Sequence, residues 1–216
     1  MADRPNKPRI YVLAGVNGAG KSSVGGAVFA DAGQEFFNPD LAAQEFLAES
    51  PEISQEEANA RAWQEGRRLL ETSIITRQDF AFETTLGGNT ITRLLKEAAK
   101  AGMEVRIWYV GLESVELHIA RVRSRVAQGG HDIPEAKIRE RYDRSRWNLI
   151  GLLPNLAELK VFDNTAESNP RTGSWPEPKL LLHWRHGRIL HSHNLVHMPE
   201  WAKPILQRAI DLSKRK

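Results

Sequence analysis

Gly15, Gly20, Lys21 and Ser22 stand at the spacing G-x-x-x-x-G-K-S, directly behind the apolar run Ile10-Tyr11-Val12-Leu13. A strand feeding such a loop, with a helix after it, is the setting in which this pattern binds polyphosphate. Glycines at 15, 18 and 20 let the backbone take φ > 0 and come close to a phosphate. Amide N–H groups then converge on its oxygens at a helix N-terminus, where the dipole adds a favourable field. Lys21 supplies a point charge for the β- and γ-phosphates, and the Ser22 hydroxyl is placed to ligate Mg²⁺. The nucleotide contacts expected from this stretch are Gly15, Asn17, Gly18, Ala19, Gly20, Lys21, Ser22 and Ser23.

A phosphate loop alone does not separate a kinase from an ATPase or a GTPase. The chain has no Asn-Lys-x-Asp guanine-reading box, and its most strand-like stretch ends in Gly111-Leu112 rather than in an acid. Acids instead close the stretches reaching Asp40 and Glu83, a layout suited to a small-molecule kinase using ATP. Such an enzyme holds Mg-ATP, points an acceptor hydroxyl at a carboxylate and closes cations over the transferred group. Asp40 is the candidate base; behind Asn38-Pro39 it would also stabilise the first turn of a helix. Glu83, followed by Thr84 and Thr85, would hold substrate hydroxyls or, through water, Mg²⁺. The cations come from the stretch 121–131, where Arg121 and Arg125 share a helix face and Gly129-Gly130 suits the hinge of a lid. Arginines crowded at 121, 123 and 125 repel one another without an anion, so at least two are expected on phosphate. Arg139, Arg141, Arg144 and Arg146 alternate with Glu135, Glu140 and Asp143 and read mostly as a charged helix face.

The elements that must position these residues follow from pattern and punctuation. Strands are expected at 10–13, 35–37, 80–83, 105–110 and 159–162. Helices are expected at 22–30, 41–47, 55–75, 89–101, 114–127 and 134–152. Ser54-Gln55-Glu56-Glu57 looks like a capping box, and Asn89 like a cap. Strands alternating with helices imply right-handed βαβ units and a parallel sheet covered on both faces. Ligands bind at the carboxyl ends of such strands, which makes Asp40, Glu83 and Asp163 neighbours of the phosphate site. The fold class is therefore α/β: a P-loop NTPase three-layer sandwich with a mostly parallel sheet, plus a C-terminal β-hairpin and helix.

Composition sets the outer bounds. The 216 residues are 41% hydrophobic, enough for a substantial core, and include no run of 18 apolar residues to span a membrane. The polar N-terminus lacks the apolar segment of a signal peptide. Zero cysteines exclude disulfides and thiol chemistry and fit a cytoplasmic protein. A net charge of +3 does not make a nucleic-acid face. Residues 1–167 are expected to form the kinase core with a helical lid at about 113–150, and residues 168–216 a hairpin and helix packed on it. The stretch 168–178 reads as a linker and the basic end, 214–216, as a solvated terminus. Five of the seven histidines fall between 183 and 197, with 191 and 193 on one strand face and 193 and 197 on one helix face. No carboxylate or Cys completes a metal set there. Trp175, Trp184 and Trp201 are expected to pack this region onto the sheet.

Taken together, AGVNGAGKSS (14–23), FFNPD (36–40), FETTL (82–86), RVRSRVAQGGHDIP (121–134), KIRERYDRS (137–145) and VFDNT (161–165) resemble the zeta toxin family of P-loop kinases, in the family's order. Zeta toxins phosphorylate the 3′-hydroxyl of UDP-N-acetylglucosamine and so poison cell-wall synthesis. The resemblance implies that Lys21 and Ser22 bind ATP and Mg²⁺ and that Asp40 is the catalytic base. It implies that Glu83 and Thr85 contact substrate, and that two lid arginines neutralise phosphate: Arg121 and Arg141, with Arg125 in reserve. An antitoxin is the partner it brings with it, and no antitoxin segment is visible in this chain. The toxins carry an Arg two places beyond the Glu-x-Thr threonine, where this chain has Gly87.

Overall fold

The structure is a computed structural model and describes residues 7–22, 24–25, 36–166 and 177–214. Strand β1 (Arg9–Ala14), which feeds the phosphate loop, is an inner strand of the sheet, buried from Ile10 to Ala14 on both faces. Alternate residues of a strand point to opposite faces, so an unbroken apolar strand requires cover on both. One layer joins Ile10 and Val12 to Leu95, Ile107, Tyr109, Leu149 and Leu206; the other holds Tyr11, Leu13, Trp108 and Val110. Strands β2 (Phe80–Thr84), β3 (Glu104–Gly111) and β4 (Glu158–Asp163) run parallel to β1. The hairpin β5 (Lys179–Arg185) and β6 (Arg188–Ser192) then adds antiparallel, giving the order β2-β1-β3-β4-β5-β6.

Register brings the carboxyl ends of the parallel strands together, with Ala14 opposite both Thr84 and Tyr109, and Gly111 opposite Asp163. Around the sheet run helices α1 (Pro39–Glu49), α2 (Gln55–Thr76), α3 (Asn89–Lys100), α4 (Val115–Ala127), α5 (Glu135–Leu152) and α6 (Lys203–Ser213). Ser54 and Ser114 accept the third helical amide of α2 and α4, as N-caps do.

Several expected elements differ. The strand at 35–37 shrinks to one parallel bridge between Phe37 and Phe82, Glu35 lying outside the described residues. Phe37 donates to Ala81 O and accepts from Glu83 N, each at 2.9 Å. Pro39 has no amide proton and Asn38 turns to cap α1, so the ladder ends there. The cap of α3 is Gly88, one residue before Asn89. Of the helix expected at 22–30, Lys21, Ser22, Val24 and Gly25 are helical and the rest lies outside the described residues, as do Trp175 and the linker at 168–176.

The C-terminal hairpin turns at His186-Gly187, whose φ values of 47° and 82° are those of a type I′ turn. Residues 195–197 form a 3₁₀ turn, so His193 and His197 do not share a helix face. The His191 and His193 rings meet edge-on at 5.7 Å. Among the described residues no three metal-ligating side chains converge. Trp184 and Trp201 are both buried, as expected. Trp201 lies so close to Gly111 that a Cβ there would come within 2.5 Å of the indole. Gly111→Ala should therefore cost about 2 kcal/mol, lowering the melting midpoint by several degrees in a calorimetric scan.

Candidate active site

The phosphate loop is wedged between strand ends and lid. Gly15, Gly18 and Gly20 have φ of 149°, 79° and 77°. A Cβ at Gly15 would lie 2.3 Å from Val110 O and one at Gly18 would lie 2.6 Å from His118 O, so these positions need glycine for conformation and for room. The loop carbonyls are held from outside. Asn17 O accepts from His118 Nδ1 at 2.8 Å, which fixes the imidazole tautomer, and Ala19 O accepts from Asn164 Nδ2 at 2.9 Å. Asn17 Oδ1 accepts from Arg141 Nη1 at 2.8 Å. The Ala19 amide is engaged inside the loop, donating to Val16 O at 3.0 Å, so it is not among those left for a ligand. Lys21 is buried, donates to Gly15 O at 2.9 Å and lies 3.4 Å from Glu83 Oε1. Ser22 is exposed at the same mouth, and Ser23 lies outside the described residues.

Two cavities open here. One, about 570 Å³, is lined by Gly18, Gly20, Lys21, Ser22, Arg121 and Arg125. The other, about 470 Å³, is lined by Phe37, Trp63, Thr85, Lys137, Arg141 and Arg144. Asn17, Asp40 and Glu83 line both and form the wall between them. A glycine-rich cradle with a buried lysine and an adjacent serine hydroxyl fits Mg²⁺ with a nucleotide in the first cavity.

The two readings of Asp40 separate. Asn38 is the cap, accepting the Asp40 and Leu41 amides at 2.8 and 3.4 Å. The Asp40 carboxylate faces the cavities, 4.0 Å from Arg125. Of the clustered arginines, Arg123 pairs with Glu135 and lines neither of these cavities. Arg121 donates to Thr165 O and Ala166 O at 3.3 and 3.1 Å from the wall of the first. Arg139, Arg144 and Arg146 pair with Glu116, Glu140 and Asp143, the charged-face reading. Arg141 differs: burial pulls its guanidinium below the ordinary value, with Glu140 and Asp40 acting the other way.

Asp163 stands at the strand end next to the phosphate loop but lines neither cavity. Its carboxylate binds the amide and hydroxyl of Thr165, and the neighbouring Asn164 is the residue that reaches the phosphate loop. His118, Asn164 and Trp63 were not anticipated at the site. The only sequence signal for His118 is its place between Val115 and Val122 on the inward face of α4.

A family model described as Zeta toxin matches residues 1–167. The chain belongs to the zeta toxin family. An uncharacterised protein of Haemophilus influenzae is 33% identical to it over 137 residues, 63% of this chain and 93% of that protein. AvrRxo1-ORF1, solved with AvrRxo1-ORF2 and ATP, superposes with a TM-score of 0.64 at 15% identity over 95% of this chain. This chain spans 64% of the length of that one. A chain of the PezAT chromosomal toxin–antitoxin system of Streptococcus pneumoniae superposes with a TM-score of 0.60 at 14% identity, over 99% of this chain and 86% of that one. At such identities the structural likeness is one of fold. Loop, fold and family together make this a P-loop kinase. Where zeta toxins carry Arg beyond the Glu-x-Thr threonine, Gly87 leaves room for the stem of Arg141: a Cβ at 87 would fall 2.8 Å from Arg141 Cγ.

His118 yields a pH test. Burial pushes its imidazole down to about 4, helped by Lys21, Arg121 and Arg146 and opposed by the Asn17 carbonyl. Between an unfolded value near 6.5 and about 4, the unfolded chain binds the proton and the folded one does not. Stability is then complete above pH 6.5 and declines as pH falls through that window, by on the order of 3 kcal/mol in full. Melting midpoints measured between pH 7 and 5 should fall in the wild type. In His118→Asn, which cannot titrate there, the curve should be flatter.

Proposed function

We propose that this kinase transfers the γ-phosphate of ATP to a hydroxyl of a small-molecule acceptor. One observation carries the reading: Asp40 stands in the wall shared by the nucleotide cavity and the second cavity, where a carboxylate can serve an acceptor on one side and a phosphoryl donor on the other. Lys21 and the loop amides hold the polyphosphate, with Ser22 placed for Mg²⁺. Bound there, Mg²⁺ would neutralise negative charge on the polyphosphate. Asp40 accepts the proton of the acceptor hydroxyl as its oxygen bonds to the γ-phosphorus and ADP leaves. Glu83 and Thr85 orient the acceptor. Arg121 and Arg141, with Arg125 beside Asp40, stabilise the charge in flight. Residues 1–167 form the kinase core, with α4 and α5 its lid about Gly129-Gly130, and residues 168–216 the packed appendage.

UDP-N-acetylglucosamine is the first acceptor to test, from the family. Gly87 in place of the toxins' arginine favours a second candidate set, other sugars or nucleotide metabolites. An antitoxin protein is the partner proposed, by likeness to the PezAT system. Among the described residues no helix is long and apolar enough to cross a membrane, and a cytoplasmic site of action is proposed with it.

Phosphorus NMR of the protein with Mg-ATP and a panel of UDP-sugars, free sugars and nucleosides tests the reaction. One acceptor should gain a phosphomonoester signal. Asp40→Asn should lower that transfer by about 10² to 10⁴-fold while a fluorescent ATP analogue still binds. Lys21→Ala should weaken both. A protein that binds ATP, phosphorylates nothing and ignores Asp40→Asn is a nucleotide-dependent regulatory module instead.

A further inference from the structure

The turn that carries Thr85 is held in a conformation its sequence does not favour. Leu86 has a φ of 54°, in the left-handed region that L-residues with a branched side chain rarely enter. Glycine follows at 87 and 88, yet Leu86 takes the strained position, and its side chain is buried in the main core. Such a conformation persists only where surrounding contacts over-determine it. Here they do so from within and from one helix. Leu86 donates its amide to Thr84 Oγ1 at 3.0 Å. Ser145 Oγ donates to Thr85 O at 2.7 Å. Asn148 Nδ2 donates to Leu86 O at 2.8 Å and to Gly88 O at 3.3 Å; both partners are carbonyl oxygens, so the amide nitrogen must face them.

Residues 141, 145 and 148 are spaced i, i+4 and i+7, one face of α5. Arg141, first on that face, packs its stem where a Cβ of Gly87 would be and reaches Asn17 of the phosphate loop. A single helix face thus touches both loops: the phosphate loop through Arg141, and carbonyls of the 84–88 turn through Ser145 and Asn148. Behind it, Tyr109 OH donates to Ser145 Oγ at 3.0 Å. That donor leaves the serine hydroxyl its own proton for Thr85. Burial raises the Tyr109 phenol to about 12, so it stays protonated, and a donor, across any working pH. Ser145 is itself fully buried and touches neither cavity.

We propose that Ser145 and Asn148 are positioning residues for the acceptor. They hold the 84–88 turn in the register in which Glu83 and Thr85 face the second cavity, with Tyr109 orienting the Ser145 hydroxyl. The assignment of that cavity to the acceptor rests on the phosphotransfer reading above. The consequence is a separation of functions. Removing these bonds loosens the acceptor side, because they end on the 84–88 turn. It spares nucleotide binding, because the direct contacts between the two loops, Gly15 N to Thr84 O at 3.2 Å and Lys21 to Glu83 at 3.4 Å, end on β2 residues before those that α5 holds. The phosphate loop also keeps its own clamps from His118, Arg141 and Asn164.

The test compares wild type with Ser145→Ala, Asn148→Ala and Tyr109→Phe, using Mg-ATP with UDP-N-acetylglucosamine, or whichever panel member is phosphorylated, as the acceptor probe. Ser145→Ala, which removes the donor to Thr85 O, and Asn148→Ala, which removes the part-buried donor to Leu86 O and the exposed one to Gly88 O, should each lower kcat/KM for the acceptor about tenfold. Affinity for a fluorescent ATP analogue should stay within about twofold. Tyr109→Phe keeps the Ser145–Thr85 bond and should lose only about threefold. Acceptor and ATP constants that fall together, or a lowered melting midpoint with unchanged kinetics, would overturn the proposal. Amide hydrogen exchange gives a second readout that needs no acceptor. Exchange should quicken over 83–88 in the variants, and at Gly15, whose amide donates to Thr84 O, and stay unchanged over 16–22. If the wild type phosphorylates nothing, the phosphotransfer reading fails, and exchange still decides the positioning claim. Equal loosening of both loops, or of neither, refutes it.

Discussion

Backbone binds a polyphosphate only if its amides are presented to the ligand while its carbonyls, equally polar and of the wrong sign, are kept away. A glycine-rich loop is poorly suited to hold that arrangement unaided, because glycine loses the most conformational freedom on ordering. The clamps come from elsewhere in this chain. Thr84 O takes the Gly15 amide, His118 takes the Asn17 carbonyl, Arg141 takes the Asn17 side chain and Asn164 takes the Ala19 carbonyl. With two of the loop's carbonyls held by side chains from outside the loop, Lys21 donates to a third, Gly15 O, in a buried setting beside Glu83. The remaining geometry follows from that anchoring.

The anchoring also explains how charge is distributed. The lid is rich in arginine, yet Arg123, Arg139, Arg144 and Arg146 find carboxylates on the surface, where such pairs contribute little to stability. Arg141 differs from these four, since its partner is an amide oxygen and its charge is kept in a partly buried place. A cation held where water is scarce interacts more strongly with an arriving phosphate than a solvated one does. Asp40, half-exposed between the cavities, is the matching carboxylate, and the capping task that could have absorbed it falls to Asn38.

The C-terminal hairpin has a structural part in this. A parallel sheet whose last strand were β4 would leave Val161 and Leu159 beside an open edge. Pairing β5 against β4 closes that edge, and Trp184 and Trp201 cover the core from the same side. Trp201 rests on Gly111, the strand residue opposite Asp163, one step from the Asn164 that clamps the phosphate loop. Packing at the back of the sheet is thus continuous with the support of the loop at its mouth.

Sequence alone determined what depends on neighbours a few residues apart. The phosphate loop follows from glycine spacing behind an apolar strand. The cap at Ser54 follows from a hydroxyl placed before a helical run, and the hairpin turn from His186-Gly187 between two apolar stretches. Each of these contacts closes within a few residues, so local pattern carries the information. Differences at this level are small and local too: within 35–37 the described pairing is the single Phe37–Phe82 bridge, and the cap of α3 is Gly88, one residue before Asn89. What tertiary structure decided lies at long range. His118, Arg141 and Asn164 meet the loop from 101, 124 and 145 residues away. Periodicity tells which residues of a helix share a face, but not how that helix is rotated against the sheet. That rotation turned Arg123 toward Glu135 and Arg141 toward Asn17. Asn164, just past the end of β4, likewise reaches Ala19 of the loop only because packing brings strand end and loop together.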